Sequence, residues 1–267
     1  MSRDMWDPAI YGHYADERSR PFFDLVSRIA AERPGYVVDA GCGTGELTAE
    51  LARRWPGAHV HGFDSSPAMI EKAPAGGSPS FSVDDVTRWR PGRPVDVIVS
   101  NAVLQWVPEH RELLPRWVEA LAPGGWLAFQ VPGNFDAPSH ALVRELCRTT
   151  WRDRLGDLVR PSPVDDPAAY LGLLTGLGCR VDAWETTYLH VLPGDDAVLS
   201  WITGTALRPM LGRLSPAEAA AFLADCAAPL REAYPRGPHG TVFPFRRIFV
   251  VARKDPADPP RRARESS

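Results

Sequence analysis

The stretch VVDAGCGTGELTAEL, residues 37–51, constrains the fold more than any other part of this 267-residue chain. An apolar run ends in Asp39, glycines follow at positions 41, 43 and 45, and a helix-patterned segment takes over. This reads as a strand, a tight turn and a helix beginning near Thr44 or Gly45, with Thr44 as a candidate cap. Missing side chains let a ligand approach the backbone, and the helix N-terminus offers uncommitted N–H groups. Such a turn places a binding site at the carboxyl end of the first strand of an open sheet.

The rest of the first 133 residues repeats the alternation. YVVDA, HVHGFD, SPSFSVDDV, VDVIVSNA and GGWLAFQVPG carry strand signatures, and ELTAELARRW, PAMIEKA and HRELLPRWVEAL between them carry helical spacing. PFFDLVSRIAAER, residues 21–33, predicts a preceding helix opened by its proline. The expected fold class is α/β, an open, mostly parallel Rossmann-like sheet with an antiparallel final strand and a helical lid insertion. Residues 1–133 form the cofactor-binding core with an N-terminal flap, and 134–240 supply a mainly helical lid and acceptor-binding insertions around a core strand at 181–192. Residues 241–254 give the final core strand and 255–267 a polar, proline-rich disordered tail. Within the lid, a helical region from about Asp195 to Tyr234 is expected to break near Arg208-Pro209 and to restart at the cap-like Ser215-Pro216-Ala217-Glu218.

The ligand at the glycine turn is constrained by charge. The glycines form GxGxG, Glu46 stands where GxGxxG would need its last glycine, and no GxxxxGK[ST] occurs. A carboxylate at Asp39 repels a phosphate and attracts an amine or a sulfonium. Asp64 ends the second strand segment, where an acid accepts from a ribose diol. Asp85 ends the third and suits an adenine amine, and Ser100, Asn101 and Ala102 end the fourth beside the reactive end. Four successive strand ends thus carry polar groups on one edge. The ligand is cationic at one end and adenosine-like at the other.

A formal net charge of -3, with arginines scattered rather than gathered, gives no nucleic-acid footprint. Cys42, Cys147, Cys179 and Cys226 show no paired spacing, and His13, His59, His61 and His110 lack a metal-site partner, so no metal is expected. No signal segment or membrane-length apolar run occurs, which leaves a cytoplasmic location as the expectation. Oligomeric state is left open, a monomer being admissible.

The motifs VVDAGCGTG and GFDSS resemble those of the class I S-adenosylmethionine-dependent methyltransferases. More narrowly, SNAVLQWVPEH, VPGNFDAPSHALVREL, WITGTALRP and FPFRRIFVVAR resemble the trans-aconitate 2-methyltransferase family, over nearly the whole chain. That resemblance implies S-adenosyl-L-methionine as cofactor, S-adenosyl-L-homocysteine as product, and a carboxylate of a small polycarboxylic acid as methyl acceptor. It implies that Asp39, Gly41 and Gly43 contact the methionine portion, Asp64 the ribose, and Asp85 with Val86 the adenine. Ser65 and Met69 would line the adenosine pocket, while Asn101, Gln105 and Trp106 border the methyl-transfer position. The family motif often reads DLGCGPG where this chain has DAGCGTG, a change that keeps the acid and the glycines.

A carboxylate is ionised at neutral pH, so no general base is expected, and Gln105 and Trp106 serve only in positioning. The acceptor is expected to meet Tyr188, His190, Trp201, Arg208, Arg246, Arg247 and Arg20. Arg246 and Arg247 alternate along a strand, so one of the two normally enters the pocket, whereas Tyr188 and His190 share a face. The flap would bring Tyr11, His13, Tyr14, Arg18 and Arg20 over the cofactor. Three alternatives stay open from the residues: another small carboxylate or hydroxyl acceptor, a nicotinamide oxidoreductase, and a noncatalytic cofactor-binding module.

Overall fold

The computed structural model describes residues 15–159 and 162–256. Strands β1 (Tyr36–Ala40), β2 (His59–Asp64), β3 (Ser80–Val83), β4 (Val95–Asn101), β5 (Leu121–Pro132), β6 (Cys179–Leu192), β7 (Arg236–Gly237) and β8 (Gly240–Lys254) make one sheet. Its order is β3-β2-β1-β4-β5-β8-β6, with β7 paired beside β8. The first five strands pair in parallel, and β8 runs antiparallel to both β5 and β6. From β1 the chain builds outward through β2 and β3, then returns to lay β4 on the other side of β1. Their carboxyl ends therefore flank a crevice at the point where strand order reverses.

Helix α1 (Ala15–Ser27) and α2 (Glu46–Arg54) cover one face, where Phe22, Leu25, Leu51, Val37, Val60 and Val97 pack together. On the other face α4 (His110–Ala120) and α7 (Pro167–Gly176) set Leu113, Trp117, Tyr170 and Leu174 against Val38, Ile98 and Phe129. Strands buried on both faces read as unbroken apolar runs, which is why VVDA and VDVIVS lack alternation. Between β2 and β3 lies the short α3 (Pro67–Ile70).

Helices α5 (Pro138–Arg148), α8 (Ala197–Thr203) and α10 (Pro216–Ala233) surround a further apolar cluster with Val143, Trp201, Phe222, Leu230 and the β8 residues Phe243 and Phe245. The short α6 (Arg152–Leu155) and α9 (Arg208–Leu211) complete that layer. α10 opens with the expected capping box, since Ser215 accepts from the Glu218 backbone and Glu218 reaches back to the Ser215 N–H.

Four local expectations are corrected. α1 ends at Ser27 rather than reaching residue 33, because Ser27 Oγ donates to the Asp24 carbonyl and competes with helical bonding. Of the apolar face that the spacing predicts, Phe22, Leu25, Val26 and Ile29 are buried, Ile29 from beyond the helix, while Ala30 is exposed. Gly45, at φ 77°, is the N-cap of α2 without a side-chain cap bond, so Thr44 does not cap it. The break in the lid falls before Arg208, and Pro209 occupies the first turn of α9 instead of ending a helix. Finally, Asp255 is held to the start of β6, its N–H donating to Gly178 O at 3.1 Å. The remaining expected tail, residues 257–267, lies outside the described residues, as do the flap residues Tyr11, His13 and Tyr14 and the side chain of Arg18.

Candidate active site

The turn after β1 is tied to β2, with the N–H groups of Gly41 and Cys42 both donating to Phe63 O, at 2.8 and 3.0 Å. Gly41, Gly43 and Gly45 all have positive φ, at 84°, 56° and 77°. Their reasons differ. A Cβ at Gly41 would lie 2.3 Å from Val103 Cγ2 and one at Gly45 2.5 Å from the Phe81 ring, whereas one at Gly43 would meet nothing within 4 Å. Gly41 and Gly45 are small because protein packs against them, and Gly43 is bare toward open space.

Two carboxylates bracket that space. Asp39 is 3% exposed, and its Oδ2 accepts from Thr48 Oγ1 at 2.6 Å. Burial pushes its pKa up to about 6, against the lowering by the Thr48 hydrogen bond, and the charge of Asp64 raises it further. A hydroxyl donor leaves the charge of the ionised carboxylate uncompensated, so a cationic ligand group fits there. Asp64 accepts from Gly43 N through Oδ2 and from Ser66 N through Oδ1, both at 2.9 Å. Each of those oxygens retains acceptor capacity for a diol. An adenosine-linked cation therefore fits this edge.

Next along the edge, Met69 is buried in α3, while Ser65 is exposed and it is Ser66 that caps the helix. Asp85 lies just past β3, with Oδ1 accepting from both the N–H and the hydroxyl of Thr87, at 2.8 and 2.7 Å. That hydrogen bonding holds its pKa down and fixes the turn that presents Val86. At the tip of β4, Ala102 adopts φ 58°, a left-handed conformation a non-glycine residue rarely takes, and its N–H donates to Gln130 O at 2.9 Å.

Asn101 and Ala102 also begin the wall of a cavity of about 660 Å³ beyond the ends of β4 and β5. Gln105, Trp106, Trp201 and Arg247 line it. Gln105 is fixed by a 2.6 Å bond from Nε2 to Ala102 O, while its buried Oε1 has no partner. Arg247 is 6% exposed, lies over the Phe245 ring at 4.5 Å, and donates to Gln130 at 3.4 Å. Trp201 stacks on His190 with ring centroids 4.9 Å apart.

Other expected acceptor residues are corrected. Arg246 faces the α7 side of the sheet, where its guanidinium is shared between Glu185 and Asp166 and donates to Gly133 O at 3.2 Å. Strand alternation sends Arg247 to the cavity and its neighbour away. Tyr188 packs with α1, its hydroxyl donating to Asp24 Oδ2 at 2.6 Å. Arg20 lies over the Tyr188 ring, 5.0 Å from its centroid, on the exposed surface of α1. Both belong to the docking of that helix and neither lines the cavity. His190 shares a face with Tyr188 as expected, but sits behind Trp201 rather than on the wall. Leu207, Pro209 and Met210 line the cavity while Arg208 does not, since successive helical residues project about 100° apart.

The wall also holds residues that strand and helix patterns left unmarked: Asn134, His140, Arg144 and the ion-paired Arg111 and Asp165, whose atoms are 2.6 Å apart. Burial, assisted by Arg144, lowers the His140 pKa to about 4, so its imidazole is neutral at pH 7. Among the described residues, no cluster of His, Cys, Asp and Glu is arranged to hold a metal, and no helix is long and apolar enough to cross a membrane.

Comparison with known proteins agrees with this geometry. A family model described as a methyltransferase domain matches residues 11–181. A trans-aconitate 2-methyltransferase of Streptomyces avermitilis is 53% identical over 261 residues, covering 94% of this chain and 97% of its own. Another so named, of Rhodococcus jostii, is 56% identical over 252 residues, covering 93% and 99%. Among solved structures, the Haemonchus contortus phosphoethanolamine N-methyltransferase 2 in complex with S-adenosyl-L-methionine shares the fold. Its TM-score is 0.53 at 16% identity, over 88% of this chain and 52% of that one.

Proposed function

The chain belongs to the methyltransferase-domain family, and we propose that it transfers a methyl group to a carboxylate of a small polycarboxylic acid, trans-aconitate. The cofactor is S-adenosylmethionine. When bound, it supplies an electrophilic methyl group on a positively charged sulfur. Asp39, Gly41 and Gly43 hold the methionine end, Asp64 the ribose, and Asp85, Val86, Ser65 and Met69 the adenosine side. Asn101 stands where this edge opens into the cavity.

The observation that carries the choice of acceptor is the charge on the cavity wall. Arg111, Arg144 and Arg247 line it, against a single described lining carboxylate, Asp165, that Arg111 already neutralises, while Arg144 also reaches the exposed Asp136 outside the wall at 3.4 Å. An excess of guanidinium in a chain of net charge -3 suits a polyanion. The relatives at 53 and 56% identity that carry the name trans-aconitate 2-methyltransferase support the same acceptor.

The chemistry asks little of the protein beyond alignment. A carboxylate acceptor is ionised at neutral pH and loses no proton, which agrees with a wall whose His140 is too weak a base to take one. Gln105 and Trp106 border the transfer position, and Arg247 directs the acid so that its oxygen points along the bond being broken. The apolar wall, including Ile202, Leu207 and Met210, keeps water from competing. That same wall favours a second reading, an acid that carries an apolar substituent.

Incubation with methyl-labelled S-adenosylmethionine and a panel of acids tests the proposal. A labelled, base-labile ester on trans-aconitate is expected. Strong labelling of a non-acidic metabolite, with none on trans-aconitate, would overturn it.

A further inference from the structure

We propose that Asn134 is an acceptor-binding residue, its side-chain amide positioned to hydrogen-bond the acid in the cavity. The inference rests on the methyltransferase reading above and deepens it. Asn134 follows the carboxyl end of β5, immediately after Gly133, whose N–H donates to Arg246 O at 2.9 Å. Its own carbonyl accepts from Ala137 N at 3.0 Å, so its backbone is fixed as the chain turns into α5. The side chain lines the cavity and the residue is 3% exposed, yet neither Oδ1 nor Nδ2 has a hydrogen-bond partner.

A buried amide without partners is unfavourable to folding, because its donors and acceptor have left water and gained nothing. The arrangement makes sense when a ligand supplies the missing partners. Nδ2 donates to a carboxylate oxygen, and Oδ1 accepts from a ligand hydroxyl or a water carried with the acid. The neighbouring wall supports this. Gln105 Oε1 is likewise buried without a partner, and Arg247 pairs in register with Pro132, two residues before Asn134. A neutral amide beside a guanidinium orients an anion without cancelling the charge that attracts it. Asn134 also extends the series of polar strand ends, Asp39, Asp64, Asp85 and Asn101, to the fifth strand.

Asn134→Leu and Asn134→Asp test the proposal in the full chain. For Asn134→Leu, the melting temperature should stay level or rise, S-adenosylhomocysteine affinity should change less than about twofold, and the KM for trans-aconitate should rise about 10- to 100-fold. Asn134→Asp should raise KM further by repelling the acid. A purely structural asparagine gives the opposite pattern: a clear fall in melting temperature for Asn134→Leu with an unchanged KM overturns the proposal. If wild-type protein does not methylate trans-aconitate, the named acceptor is wrong. Melting then decides Asn134 alone: a level or raised temperature for Asn134→Leu keeps it as a ligand-facing residue, and a fall removes it.

Discussion

The glycine-and-acid edge and the cavity beyond it, to which cofactor and acceptor are assigned in the proposal, meet at Asn101 and Ala102 but are made of different material. The edge is largely backbone: positive-φ glycines, the tips of adjacent parallel strands, and Asp64 held by main-chain N–H groups. The cavity is side chains carried by helices, loops and strand β8, separated widely in sequence, from Gln105 to Arg247. Backbone geometry leaves a local imprint in sequence. A wall assembled from distant segments does not.

This difference makes the two regions fail differently under mutation, and the glycines give the largest contrast. Gly41→Ala should cost about 2–5 kcal/mol of stability, combining left-handed strain with the collision against Val103. Gly43→Ala should cost only about 1–2 kcal/mol, from φ alone, while weakening S-adenosylhomocysteine binding disproportionately, because its Cβ would enter open space. Paired thermal melts and calorimetric titrations check both. Equal stability losses would erase the distinction drawn between them.

Asp39→Asn comes next, with cofactor affinity expected to fall about 10- to 100-fold. Its pH behaviour has two signs. The folded-state pKa of about 6 lies above the ordinary carboxylate value of 3.8, so between them the folded protein binds more protons. The contribution of Asp39 to stability therefore falls as pH rises from about 4 through 6. Cofactor affinity should do the reverse, dropping as pH falls through about 6, since the ligand cation favours the ionised acid. In the Asp39→Asn variant both dependences should flatten, and titrations between about pH 4 and 8 measure this.

Arg247→Met against Arg246→Met sharpens the cavity side. The first should raise the acceptor KM about tenfold or more with cofactor affinity little changed. The second should change stability by under about 1 kcal/mol, its pairs with Glu185 and Asp166 being partly exposed, and should move KM several-fold less. The reverse ranking would return Arg246 to the acceptor. Tyr188→Phe should cost about 1 kcal/mol by removing the bond to Asp24, with KM unaffected.

These contrasts also explain what could be read in advance. Strand and helix alternation through residue 133 and the acid-glycine turn were legible because period and spacing are local. So was the Ser215–Glu218 box, whose partners are close neighbours in the chain. Which of Arg246 and Arg247 faces the cavity was not, since alternation says that they differ but not which face the lid covers. Tyr188 and Arg20 looked like acceptor ligands because nothing local announces that Asp24, on a helix far back in the sequence, claims the tyrosine hydroxyl. Asn134 was within reach, because the run of acids and amides at four strand ends continues to VPGN at the end of β5.

Crystals grown with S-adenosylhomocysteine and trans-aconitate offer the most direct measurement. The expected result has the ribose on Asp64, the ammonium near Asp39, the sulfur facing Asn101, and an acid oxygen in the cavity within reach of Arg247 and Asn134. Ligand density remote from Asp39 and Asp64, or an acid bound outside that wall, would contradict the division of labour between edge and cavity.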